Sequence, residues 1–136
     1  MSRVDFDSIE IGDELPPSRV DLAKEFVTRH ARVLDMAFPR FTDDAGARAE
    51  GLPGQITPGN LSLALLANAL LAWIPGARLL RLGTTFRGLA PAGIAVSIHG
   101  TVTEKADDAR TIECDVWMEN AEGDRLVIGT ATVALP

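Results

Sequence analysis

Few residues in this sequence of 136 offer chemistry. Histidine occurs twice, at His30 and His99, and cysteine once, at Cys114. The two histidines share no metal-ligand spacing with each other or with an acidic partner, so no metal site is expected. Cys114 sits in an alternating apolar pattern, Ile112-Glu113-Cys114-Asp115-Val116, and reads as core rather than nucleophile. A lone cysteine also excludes an internal disulfide. The position with the clearest chemical potential is Gly59, in Thr57-Pro58-Gly59-Asn60. It opens a strongly apolar stretch that reads as a helix. At such an opening, unpaired backbone N–H groups and the positive end of the helix dipole meet, and a carbonyl oxygen or an anion can bind.

The element that must position Gly59 is the stretch 56–74, ITPGNLSLALLANALLAWI. From Leu61 to Ile74 only Ser62 and Asn68 are polar. A helix that is apolar on nearly every side is expected to be buried. Over residues 60–73 it would be roughly 21 Å long, too short to span a bilayer. Gly59 or Asn60 is placed to cap its first turn, and Pro75-Gly76 stops it. Burying such a helix requires a sheet curled around it.

The remaining elements follow from pattern. Residues 1–17 are turn-rich and deliver a short strand around 18–22. Asp21 is placed to cap a helix over 22–34, with Phe26, Val27, His30, Val33 and Leu34 on its buried face. Residues 35–41, which contain Pro39, read as a loop. Thr42 is then expected to cap a short helix over 43–50 that Gly51 closes. Beyond Gly76 four strands are expected, over 78–87, 93–104, 109–119 and 125–135. Ile94, Val96, Ile98 and Val102 face one way and Ser97, His99, Thr101 and Thr103 the other, the period of an antiparallel sheet with one face on a core. Residues 105–108 and 120–124 supply hairpin turns. Helices first and consecutive hairpins afterwards point to an α+β fold in a single domain, 1–136, without repeats or a dividing linker. The formal net charge of −6 and the lack of a basic cluster argue against a nucleic-acid surface. No export signal or membrane span is read, so a cytoplasmic protein is expected.

An antiparallel curled sheet around one long apolar central helix is the hotdog fold, and a family resemblance runs through residues 35–66. An acidic loop with a proline is followed by T-D-D-A-x-A-R-A-x-G-L and then P-G-N-L-S-L-A-L-L. The opening F-x-x-I-x-I-G-D-E-L and the later F-R-G-L-A-x-x-G, residues 86–93, belong to the same pattern. Together these resemble the MaoC-like dehydratases and (R)-specific enoyl-CoA hydratases. The resemblance implies addition of water to a 2-enoyl thioester carried on coenzyme A or acyl carrier protein, or its removal in reverse, with no further cofactor. It also implies that Gly59 donates its N–H to the thioester oxygen. In the family an Asp and a His of a G-D-x-N-P-x-H loop hold the water. Anchored on Thr42-Asp43 and on residues 47–51, the family Pro falls on Pro39 and the His on Phe41. The Asp falls at Met36, or at Asp35 if the loop carries one extra residue. Phe41 cannot transfer a proton, and the permanently charged Arg40 beside it cannot act as a base.

These readings give a set of expectations. Asp35 and Gly59 are the candidate catalytic residues, Asp35 competing with a plain loop carboxylate. Arg40, Phe41, Pro58, Asn60 and Arg87 are candidate substrate-binding residues, and Arg87 is placed to contact a coenzyme A phosphate. His30 could replace the missing base, though a core or surface role is its default; His99 reads as solvated. Trp117 is expected at a subunit contact and Trp73 in the core. The chain reads as an acyl-thioester-binding hotdog protein leaning toward a hydro-lyase of weak or partner-dependent activity. The alternatives are a non-catalytic partner subunit of a heteromeric hydratase and a hotdog thioesterase. The absence of Asp and Glu from the central helix argues against the thioesterase. An edge strand and apolar rim predict a homodimer or a hetero-oligomer with another hotdog subunit.

Overall fold

A computed structural model describes residues 4–136, so the first three residues of the turn-rich 1–17 segment lie outside the described residues. The chain forms a 3₁₀ turn (Phe6–Ser8), β1 (Ser18–Asp21), α1 (Lys24–Val33), α2 (Pro39–Thr42), α3 (Asp44–Ala49) and α4 (Gly59–Trp73). Four strands follow: β2 (Arg78–Phe86), β3 (Ala95–Ala106), β4 (Thr111–Glu119) and β5 (Arg125–Ala134). They build one antiparallel five-stranded sheet in the order β1-β3-β4-β5-β2.

The alternation seen in the sequence decides which face of the sheet is dry. Val96, Ile98 and Val102 of β3, Ile112, Cys114, Val116 and Met118 of β4, and Val127, Ala131 and Val133 of β5 are all buried. Register keeps these inner residues opposite one another, with Ile98 facing Met118, Val102 facing Cys114 and Cys114 facing Ala131. Leu61, Leu66 and Leu70 of α4 complete the core with them. Truncating one such leucine to alanine typically costs about 2–5 kcal/mol, so this layer holds the helix in place.

The helix is buried on one side rather than all round. Asn60, Ala64, Asn68, Leu71 and Ala72 form an exposed stripe along α4. A single five-stranded sheet covers only one side of a helix, and no second layer among the described residues covers the other. The edges of the sheet also differ. Backbone bonds from Gly12 and Leu15 to β3, together with β1 itself, cover one side of β3. The outer edge of β2 pairs with no strand among the described residues, and it carries exposed Leu80 and Phe86.

Several helix boundaries move from their expected places. Asp21 stays in β1 opposite Ala95, and α1 begins two residues later behind Ala23 with no side-chain cap. Its buried face is the narrow pair Val27 and Ala31, leaving Phe26, Val33 and Leu34 exposed. The expected loop contains the single-turn α2, for which Pro39 presets the first backbone angle. The cap of α3 is Asp43, which accepts from the Gly46 N–H at 2.8 Å, while the Thr42 hydroxyl donates back to the Phe38 carbonyl. Residue 58, not Gly59 or Asn60, precedes the first turn of α4. Because Pro58 brings no capping side chain, the end of the helix stays bare.

Candidate active site at the mouth of the central helix

Residues 55–57 carry the chain into α4 and are fastened on both sides. Gln55 is buried, and its amide nitrogen serves the Phe41 carbonyl at 2.7 Å, the Thr28 hydroxyl at 3.0 Å and the Lys24 carbonyl at 3.3 Å. Its backbone N–H donates to Asp44 Oδ1 at 2.8 Å, and Asp44 Oδ2 accepts from Lys24 Nζ at 2.7 Å. The hydrogen bond from Lys24, then that from the Gln55 backbone, holds the Asp44 carboxyl below its ordinary value. On the other side the Thr57 N–H donates to the Ala90 carbonyl at 2.7 Å and the Ala92 N–H to the Gln55 carbonyl at 2.9 Å. Ile56 donates to the Arg40 carbonyl at 2.9 Å. Three short helices and the loop before β3 thus meet on one tripeptide.

At the end of this clamp lies a cleft of about 330 Å³. Gly59, Thr57, Ser62, Arg40 and Phe41 line it on one side, and Phe86, Leu89, Ala90 and Val127 on the other. No acceptor among the described residues takes the Gly59 or Asn60 N–H. The ring of Phe86 stands over Gly59, where an added Cβ would lie 2.8 Å from Cζ. Thr57 is only 7% exposed, and its Oγ1 has no hydrogen-bond partner among the described residues. Arg40 is committed to Glu50 at 2.9 Å, and the Phe41 ring tilts against Phe38 at 6.3 Å.

The residues singled out from the sequence fall into three places. Gly59, Arg40 and Phe41 share the cleft, and Pro58 is buried beside Gly59. Asn60 turns to a second group at the helix mouth. Its Oδ1 lies 3.0 Å from His30 Nε2, and its Nδ2 donates to Met36 Sδ at 3.1 Å. Asp35 and Arg87 are exposed and do not line the cleft. Asp35 has φ 55°, and its neighbour Met36 donates to the Ala31 carbonyl at 2.7 Å, so Asp35 serves as the left-handed residue that ends α1. Arg87 borders a separate hollow with Asp124 and Arg125.

Thr57, Gln55 and Phe86 were not singled out from the sequence. Gln55 and Thr57 stand just before Pro58-Gly59 in a segment that otherwise reads as a connector. Their burial follows from partners at residues 24, 41, 44 and 90, which no local pattern reveals.

Outside the cleft, Cys114 is in the core, and burial first, then the neighbouring Glu113 and Asp115, pushes its thiol up to about 12. His99 is on the outer face of the sheet, stacked on Trp117 at 5.5 Å, with Nε2 3.3 Å from Glu119. The Arg125 guanidinium lies 4.1 Å from the centre of the Trp117 ring, so this tryptophan packs against a cation and an imidazole. Trp73 is partly buried against the core.

No family model matches the sequence, and no curated protein matches it. Among solved structures, the R-hydratase PhaJ1 from Pseudomonas aeruginosa superposes with a TM-score of 0.91 at 22% identity, covering 98% of this chain and 86% of that one. A MaoC-like dehydratase superposes at 0.89 with 26% identity, over 97% of this chain and 42% of the other. The ChsH1-ChsH2 complex from Mycobacterium tuberculosis matches at 0.85 and 20% identity, over 93% and 98%. Among the described residues no helix is long and apolar enough to cross a membrane. The chain has the hotdog fold of these R-hydratases and MaoC-like dehydratases.

Proposed function

We propose that the chain binds an acyl thioester of coenzyme A or acyl carrier protein in the cleft at the mouth of α4, with the thioester oxygen on the Gly59 N–H. The observation that carries this reading is a mostly apolar cleft with a bare helix N-terminus at its head. An apolar wall suits an acyl chain. An oriented N–H suits an oxygen that gains negative charge when the thioester becomes enolate-like.

Phe41 lines this cleft, and in this reading it takes the place of the family His, which leaves no group there to move a proton. The left-handed turn at Asp35 is one that glycine adopts readily. It supports the register in which Asp35 takes the place of the family Gly and Met36 that of the family Asp. Hydration would then proceed feebly, on oxyanion stabilisation alone, or in an assembly whose second chain carries the acid–base pair. One of the similar structures is a complex of two different proteins, and the open edge of β2 beside the exposed stripe of α4 gives this chain a face for such a neighbour.

The test measures crotonyl-CoA binding by calorimetry and its hydration by loss of enoyl absorbance. Binding with little or no turnover is expected, since losing a positioned acid–base group costs about 10²–10⁴-fold. The double variant Met36→Asp/Phe41→His should raise turnover by at least about tenfold. Turnover by the unmodified chain on the order of 10 s⁻¹ would refute the degenerate site. It would turn attention to His30.

A further inference from the structure

We propose that the Thr57 hydroxyl is a second donor to the ligand's carbonyl oxygen, acting beside the Gly59 N–H. The inference rests on the acyl-thioester reading of the cleft and names a residue that the resemblance does not. Thr57 is more than nine-tenths buried, its Oγ1 meets no partner among the described residues, and it lines the same cleft as Gly59.

A buried hydroxyl left without a partner is destabilising, and nearly all such groups in folded proteins find one. Valine would fill the same volume here without that penalty. The surroundings do not let the hydroxyl escape to a backbone acceptor. Its own N–H is bonded to Ala90, Ile56 before it is bonded to Arg40, and Pro58 after it has a fixed φ. A β-branched side chain on so fixed a backbone has few rotamers to choose from. The only other side-chain hydrogen-bonding groups among the cleft's lining residues are the Ser62 hydroxyl one turn into α4, which is not among the buried atoms left without a partner, and Arg40, which Glu50 engages; Phe41, Ile56, Phe86, Leu89, Ala90 and Val127 have none. A ligand group that satisfies both Thr57 and Gly59 is an oxygen with two lone pairs to fill, and the thioester carbonyl of the proposed ligand is such a group. Two fixed donors also hold that oxygen as it gains charge, which one donor on an open helix end does less well.

The experiment compares two probes on three proteins by calorimetry. Butyryl-CoA carries the carbonyl, and S-butyl-CoA, a thioether of similar shape, lacks it. The wild type should prefer the thioester. Thr57→Val should melt at or above the wild-type temperature, bind butyryl-CoA about tenfold more weakly, and leave S-butyl-CoA binding nearly unchanged. Thr57→Ser, which keeps the hydroxyl, should retain most of the preference. Thr57→Ala drops the hydroxyl without demanding a fit, so it must show the same loss of discrimination should the valine variant not fold. Undiminished butyryl-CoA binding by the variants would overturn the inference and mark the hydroxyl as the seat of a trapped water. Equal weakening toward both probes would overturn it too, as would a valine variant several degrees less stable than wild type. A wild type that bound neither probe would instead overturn the acyl-thioester reading itself, and this inference with it.

Discussion

Replacing Gly59 by alanine separates binding from folding, because the geometry assigns opposite expectations to the two. The added Cβ would sit 2.8 Å from Phe86 Cζ and 3.1 and 3.2 Å from the two adjoining ring atoms. Ordinary carbon contacts lie at about 3.5–4.0 Å, so the ring tip must retreat by roughly 0.7–1.2 Å. Phe86 is 54% exposed at the end of an edge strand and can swing outward, so the retreat costs little. Exchanging Gly for Ala in a helix gains at most about 0.5–1 kcal/mol through reduced chain entropy, less in the first turn. The net change in stability is therefore predicted to lie within about 1 kcal/mol, a shift of a few degrees in Tm. The methyl group, however, would occupy the head of the cleft where the ligand oxygen must approach the N–H. Losing one such charge-stabilising donor costs about 2.7–4 kcal/mol in a transition state. A ground-state thioester feels less, and a tenfold or greater loss of acyl-CoA affinity is expected. Scanning calorimetry and titration calorimetry on the same preparation give both numbers. Unchanged affinity in a folded Gly59→Ala protein would refute the placement of the carbonyl at this helix end.

Two further outcomes follow from burial and edges. Light scattering should show a dimer or larger assembly at micromolar concentration, and Leu80→Lys, which puts a charge on the open edge of β2, should shift it toward monomer; a wild-type monomer would contradict the edge argument. Cys114, with its thiol pushed up to about 12 by burial, should resist a thiol reagent at pH 8 in the native protein and react fully in denaturant. Stoichiometric labelling of the native chain would show that the β4 face is not closed.

The alternation in β3 and β4 made the sheet legible, because one dry face imposes a period of two that local sequence records directly. The central helix was legible for a similar reason, yet its exposed stripe was not. Ala64, Leu71 and Ala72 are apolar, and composition alone does not say on which side the sheet ends. Phe26, Val33 and Leu34 misled in the same way, since helical spacing identifies a face without showing whether anything covers it. At the site, Gly59 could be read from Pro58-Gly59 before an apolar run. The parts that complete the cleft come from residues far along the chain. Phe86 reaches Gly59 only through the pairing of β2 with β5, and Gln55 finds its acceptors in α1 and in the Phe41 carbonyl. The resemblance pointed to Phe41, which lines the cleft, while the left-handed turn at Asp35 depends on backbone geometry that the sequence does not print.

The fastening of residues 55–57 bears on when the cleft forms as well as where. Its bonds join Gln55 to Lys24 and Thr28, some thirty positions earlier, and Thr57 to Ala90, more than thirty later. Each closes a long loop whose entropy cost falls due before the bond is made. A mouth assembled from such separated pieces is a high-contact-order structure, and β1, just ahead of α1, pairs with β3 across a similarly long stretch of chain. A nascent chain, or one truncated ahead of the third strand, would carry the apolar helix without its cleft. Binding of the proposed acyl ligand would therefore report the completion of folding as well as the geometry around Gly59.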